Sequence, residues 1–252
     1  MGFLHEGHVS LMREGARRAD DVAVSIFLNP AQFGPTEDLS KYPKDLSGDL
    51  AKCASAGVTL VYAPEPSDVY PSGFQTHVEV ERVSQGLCGA RRPGHFRGVA
   101  TVVAKLLALF RPTCALFGEK DYQQLQVIRA LEADLDLGVD IVGLPTIRDA
   151  EGLALSSRNS YLKGADRERS LSLIRGLRAA QALAESGEVR AGVLEDAVRT
   201  QLKAQEVRED YVQVVDAKTL SPVTVLSPST PARILVAAYV GSTRLIDNVA
   251  LP

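Results

Sequence analysis

Apolar and polar residues alternate along the chain with two recurring periods, one helical and one strand-like. Val9, Met12, Ala16 and Ala19 share one side of a helix predicted over residues 9–19. Residues 21–28 are nearly continuously apolar, as in a strand buried on both faces. Leu46, Leu50, Cys53 and Ala54 form the next helical stripe; Gly57 stops it, and residues 58–63 read as a strand. The strongest helix carries Val99, Val102, Val103, Leu106, Leu107 and Phe110 on one face, and Pro112 ends it. Residues 114–117, 121–133 and 139–144 then read as strand, helix and strand. This alternation predicts a parallel sheet with helices on both faces, in which ligands sit beyond the carboxyl ends of the strands.

After about residue 145 the order changes. Two long helical patterns, over 166–186 and 191–206, precede strand-like runs at 211–216, 233–239 and 243–249. The expectation is therefore two domains: an α/β domain over residues 1–146 and a small C-terminal α+β domain over 147–252. A chain of 252 residues is long enough for both.

A hydrophobic share of 45% and a charged share of 23% are those of an ordinary globular protein. The net charge of −3 argues against a general nucleic-acid or membrane-surface binder, so any phosphate-binding positive charge must be local. Cys53, Cys88 and Cys114 are an odd number and far apart, which suits reduced thiols in the cytosol. The opening residues lack the basic and apolar regions of a signal peptide. No run approaches the roughly 20 apolar residues of a membrane span.

Four strings suit phosphate. His5-Glu6-Gly7-His8 stands at a helix start, where the dipole and free N–H groups favour an anion. Its three-residue spacing does not fit the zinc motif H-E-x-x-H. Arg91 to Gly98 packs three arginines and His95 ahead of the strongest helix. Gly118-Glu119-Lys120-Asp121 lies at a strand-to-helix turn, with a lysine for phosphate and an acid for Mg²⁺. Leu155-Ser156-Ser157-Arg158 offers two hydroxyls and a guanidinium. Each alone has an ordinary reading as incidental residues, a solvated loop or a helix cap. Together they favour a nucleoside triphosphate site, although the P-loop and the dinucleotide glycine fingerprint are both absent.

Met1-Gly2-Phe3-Leu4-His5-Glu6-Gly7-His8, Asn29-Pro30-Ala31-Gln32-Phe33-Gly34, Arg92-Pro93-Gly94-His95-Phe96-Arg97-Gly98, Gly118-Glu119-Lys120-Asp121-Tyr122-Gln123-Gln124 and Leu155-Ser156-Ser157-Arg158-Asn159 closely resemble the pantothenate synthetase (pantoate–β-alanine ligase) family, in its order. The resemblance implies a Rossmann-like fold of the nucleotidylyltransferase group. It also implies a cytoplasmic, usually homodimeric ligase that joins (R)-pantoate to β-alanine with ATP and Mg²⁺, through a pantoyl adenylate. Met1 to His8, Gly118 to Asp121, Ile147 and Leu155 to Arg158 would then bind ATP. His5 and His8 would touch the triphosphate, with His8 the proton donor, and Lys120 and Arg158 would neutralise developing charge. Gln32 and Gln124 would hold pantoate, and Asn29 would help at the amine end. Val102 and Val103 would wall the gem-dimethyl group, although plain core residues fit that helix equally well. The metal ligands stay unassigned.

The family has a strand ending in Pro-Thr upstream of the Met-Gly pair, whereas this sequence starts at Met1-Gly2. A parallel sheet lacking its first, central strand is therefore expected, with a longer natural protein as the favoured explanation. Two other classes fit the same strings: a nucleotidylyltransferase that stops after AMP transfer, and an inactive nucleotide-binding module.

Overall fold

The computed structural model describes residues 1–35 and 37–252. The described chain divides into two compact units. The first comprises Met1–Glu119 and Gln124–Ile147, and the second Lys120–Gln123 and Arg148–Pro252. Lys120–Gln123 thus belongs with the second unit although it lies within the sequence of the first.

In the first unit, helix α1 (Glu6–Arg18) leads to strand β1 (Ala23–Ser25), and helix α2 (Leu46–Ser55) leads to β2 (Leu60–Tyr62). β1 and β2 pair in parallel with Ala23 opposite Leu60. Two short helices, α3 (Pro66–Val69) and α4 (Leu87–Arg91), precede the long α5 (His95–Phe110). Strand β3 (Cys114–Gly118), α6 (Tyr122–Asp134) and β4 (Asp140–Leu144) complete a second parallel pair, with Cys114 opposite Asp140. The parallel order is thus as expected, but it takes the form of two separate two-stranded sheets. Among the described residues no strand joins them.

Two of the expected helix faces are corrected. On α2, Cys53 is buried as expected, but Leu46, Leu50 and Ala54 are exposed, and Asp49 and the capping residue Ala56 are buried in their place. The reason is polar: the Asp49 carboxylate accepts the Phe3 and Leu4 backbone N–H groups at 2.7 and 2.6 Å, which turns its side of the helix inward. On α1 the stripe runs Val9, Met12, Gly15, and Ala16 is exposed. Gly15 sits so close to Val22 and Leu116 that a Cβ there would lie 3.3 and 3.5 Å from their side chains. The strand expected over 21–28 shrinks to three residues, none of them buried, because β1 pairs along β2 alone.

The second unit follows the expected order. Helices α7 (Ala165–Glu185) and α8 (Ala191–Ala204) cover an antiparallel sheet of β5 (Arg208–Asp216), β6 (Ala232–Val240) and β7 (Thr243–Leu251), with β6 central. β6 and β7 join through a two-residue turn in which Gly241 takes φ +58°, the left-handed region that such hairpins require. Leu173, Ile174, Leu177, Leu194, Val198 and Leu202 of the helices pack on Val212, Val214, Ile234 and Val236. None of the three cysteines forms a disulfide. No described helix is long and apolar enough to cross a membrane.

Candidate active site

α1 starts three residues earlier than its apolar stripe, because His5 caps it. The His5 Nδ1 accepts from the Gly7 N–H at 3.2 Å, and the His8 Nδ1 accepts from the His5 N–H at 3.3 Å. This is a capping box built from imidazoles, where Ser and Glu are usual. Both Nδ1 lone pairs are acceptors, so each neutral ring carries its proton on Nε2. The rings lie 4.1 Å apart between centroids. The pair therefore supplies two Nε2–H donors at the positive end of a 13-residue helix.

The residues before the pair are held in an unusual path. Gly2 has φ +92° and Phe3 φ +52°, and Asp49, 1% exposed, bonds both N–H groups that follow this bend. Met1 reaches across to the Gln32 amide, with Sδ 2.9 Å from Nε2. The structure thus brings Met1, Gly2, Phe3, Leu4, His5, Glu6, Gly7, His8 and Gln32 into one neighbourhood of the first unit.

Gln32 ends a single 3₁₀ turn, Pro30–Gln32. Asn29 is 1% exposed and fully partnered: its Oδ1 accepts from the Ala31 N–H and the Tyr70 hydroxyl, and its Nδ2 donates to Gln32 Oε1 and the Gly98 carbonyl. Burial pushes the Tyr70 phenol up, the Asn29 bond opposing, which keeps Tyr70 a donor. Asn29 therefore orients Gln32: with Oε1 turned to Asn29, the Gln32 amide presents Nε2. Val102 and Val103 are 7% and 8% exposed on α5, packed among its core residues. Gln124 is half-buried in the first turn of α6, Gly118 ends β3, and Ile147 follows β4.

The arginine-rich string divides. Arg91 and Arg97 are exposed, whereas Arg92 forms a two-pronged ion pair with Glu37 at 2.7 and 2.6 Å. Its charge is thereby balanced within the protein.

In the second unit, the Lys120 carbonyl accepts from the Asn248 Nδ2 on β7 at 3.0 Å. Arg233 of β6 donates to the Asn248 Oδ1 and lies 3.9 Å over the Tyr122 ring. The Tyr122 hydroxyl donates to the Ala217 carbonyl at 2.8 Å. Lys120 Nζ stands 3.7 Å from the exposed Asp121. Leu155 and Ser156 lead into a 3₁₀ turn over Ser157–Tyr161, capped by Ser156, whose Oγ accepts from the Arg158 N–H. That turn packs against β7, the strand that also holds Lys120. Asn248, Arg233 and Asp49 carried no motif signal, and only their partners in space expose them.

Fold and site define an α/β enzyme whose first helix starts with a pair of capping imidazoles, a setting that favours an anion. The family model for pantoate-beta-alanine ligase matches residues 1–250, and the chain belongs to that family. It is 66% identical to the pantothenate synthetase of Myxococcus xanthus, over all of this chain and 86% of that protein. It is 56% identical to that of Anaeromyxobacter dehalogenans, over all of this chain and 89% of that one. Among solved structures, the pantothenate synthetase of Thermus thermophilus superposes with a TM-score of 0.96 at 45% identity, covering all of this chain and 91% of that chain. The Francisella tularensis pantoate-beta-alanine ligase, complexed with beta-gamma ATP and beta-alanine, gives 0.82 at 35% identity, covering 99% and 87%.

Proposed function

We propose that the chain condenses (R)-pantoate with β-alanine at the expense of ATP, giving pantothenate, AMP and pyrophosphate. The observation that carries this reading is the capped histidine pair with Gln32 beside the same loop. The Met1–His8 segment carries the group for phosphate and touches the group for a hydroxy acid through the Met1 sulfur. In the first step a pantoate carboxylate oxygen attacks the α-phosphorus, and the bond to pyrophosphate breaks. In the second the β-alanine nitrogen attacks the acyl carbon of the adenylate, the bond to AMP breaks, and the nitrogen loses a proton.

Since no protein bond forms, catalysis rests on placement and on neutralising charge. His5 and His8 donate from Nε2 to the triphosphate, with His8 the proton donor. Lys120 and Arg158 offset the charge gathering on the departing pyrophosphate. The ATP-binding set is completed by Met1 to Gly7, Gly118, Glu119, Asp121, Ile147 and Leu155 to Ser157. Gln32 and Gln124 hold pantoate, Val102 and Val103 face its methyl groups, and Asn29 acts by orienting Gln32. Mg²⁺ typically takes one or two carboxylates and leaves its other positions to phosphates and water. Among the described residues no group of three or more His, Cys, Asp or Glu gathers. Glu119 and Asp121, the carboxylates flanking Lys120, are the residues that would hold a Mg²⁺ arriving with ATP, where it would offset phosphate charge. A cytoplasmic homodimer is the expected setting.

The test is AMP release with ATP and pantoate, with and without β-alanine. AMP release that depends on β-alanine supports the ligase, and pyrophosphate release with no AMP release, with or without β-alanine, favours a nucleotidylyltransferase that stops after AMP transfer. His8→Ala and Lys120→Ala should each lower ATP–pyrophosphate exchange by about 10²–10³ with the fold retained. Wild-type exchange in both variants refutes the assignment.

A further inference from the structure

Gln32 is held from its other end by a group that the phosphate reading leaves unused. The His95 ring is 8% exposed, with its Nδ1 2.8 Å from the Gln32 carbonyl and its Nε2 2.9 Å from a terminal nitrogen of Arg92. A guanidinium has donors and no acceptor, so Nε2 must accept. The ring proton then sits on Nδ1 and is donated to the Gln32 carbonyl. Only this neutral tautomer satisfies both contacts; it is the reverse of the one that capping imposes on His5 and His8. Glu37 supplies the anchor, because both its oxygens grip Arg92, whose second terminal nitrogen also lies 3.4 Å from the Gln32 carbonyl. The side chains of Arg92 and Glu37 are only 17% and 22% exposed. The Phe96 ring packs against His95 at 4.8 Å between centroids.

We infer that His95 is a positioning residue: the Glu37–Arg92 pair fixes its Nδ1–H tautomer, and that tautomer pins the Gln32 carbonyl and sets where the Gln32 amide meets pantoate. The backbone of Gln32 is thus held by His95 while its side chain is held by Asn29. This inference rests on Gln32 being a pantoate group.

Two measurements on the full chain test it. The first is the ring-nitrogen spectrum of ¹⁵N-histidine protein, with the His95 signals identified by their loss in His95→Asn. A protonated Nδ1 and an unprotonated Nε2 are expected, and the opposite tautomer overturns the inference. The second compares His95→Asn, whose amide nitrogen can stand near Nδ1, with His95→Gln, which reaches only the Nε2 position. His95→Gln should raise the pantoate KM by about tenfold, the order of a lost hydrogen bond plus misplacement of the amide, and leave the ATP KM near its wild-type value. His95→Asn should restore the pantoate KM to within about threefold. An unchanged pantoate KM in His95→Gln, or equal losses for both substrates in both variants, overturns the positioning role. Gln32→Ala is the separate control. If it leaves the pantoate KM unchanged, the pantoate assignment of Gln32 fails, while the tautomer still reports on the relay itself.

Discussion

Replacing Gly98 by alanine should destabilise the protein and weaken pantoate binding, against the usual trend for a helix. Gly98 lies in the first turns of α5, with an ordinary helical backbone. An alanine in a helix interior is normally favoured over glycine by about 1 kcal/mol. Here an added Cβ would stand 2.2 Å from the Ala31 oxygen, 2.4 Å from the Ala31 carbonyl carbon and 2.7 Å from the Gln32 nitrogen. All three are backbone atoms, so the 3₁₀ turn carrying Gln32 must move by on the order of 1 Å to reach ordinary contact. Overpacking of this kind costs about 1–3 kcal/mol. The shift also strains the 3.1 Å bond from Asn29 to the Gly98 carbonyl, for about 1 kcal/mol more. Together these exceed the propensity gain, leaving a net loss of about 1–3 kcal/mol. The assay is urea unfolding together with the pantoate KM. Gly192→Ala on α8 is the control, since nothing lies within 4 Å of its added Cβ. Being in the first turn of α8, the control should be neutral or gain at most about 0.5 kcal/mol. If Gly98→Ala proves as stable as Gly192→Ala and binds pantoate normally, the steric argument is wrong.

Three further outcomes follow from the same geometry. Asp49→Asn leaves one of the Phe3 and Leu4 N–H groups facing an amide NH₂, which should cost about 1–3 kcal/mol and lower ATP–pyrophosphate exchange; a neutral effect on both would remove Asp49 from the site. Asn248→Asp keeps the acceptor for Arg233 but turns a carboxylate oxygen on the Lys120 carbonyl in a buried place, so it should cost about 1–3 kcal/mol and lower exchange about tenfold; unaltered exchange in the folded variant would separate Lys120 placement from β7. Asp216 lies below its ordinary value of 3.8, chiefly because the Thr219 N–H donates to it, with burial opposing and the Lys218 N–H assisting. A depressed folded value means this stabilisation is complete above about pH 4 and lost as pH falls through the folded value. The urea midpoint of Asp216→Ala should therefore trail the wild type at neutral pH and converge on it below about pH 4, and a gap that widens in acid would contradict the sign.

Local pattern alone located most of these elements. The i, i+3, i+4 stripe of α5, the long α7 and α8, and the three C-terminal strands each hide one face, and a one-sided burial is written in the spacing of apolar residues. The strings around His5, Gln32, Lys120 and Arg158 stood out because they combine the few residue types on which phosphate and carboxylate chemistry draws, and their roles are those proposed above. Pattern failed where a polar contact overrode it. Leu46 and Leu50 marked the wrong face of α2, since the buried Asp49 on the other face is needed by N–H groups 45 and 46 positions away.

What the sequence by itself determined is the order of helices and strands, the change of architecture near residue 145 and the family. Only the tertiary structure decided which short strands pair, that Arg92 is matched by Glu37, that Lys120 is held by a strand 128 positions later, and that the Nδ1 atoms of His5 and His8 are taken up in capping. The physical reason is range. Burial periodicity is set by neighbours within a few residues, whereas a tautomer or an ion pair depends on donors and acceptors that meet only once the chain has closed on itself.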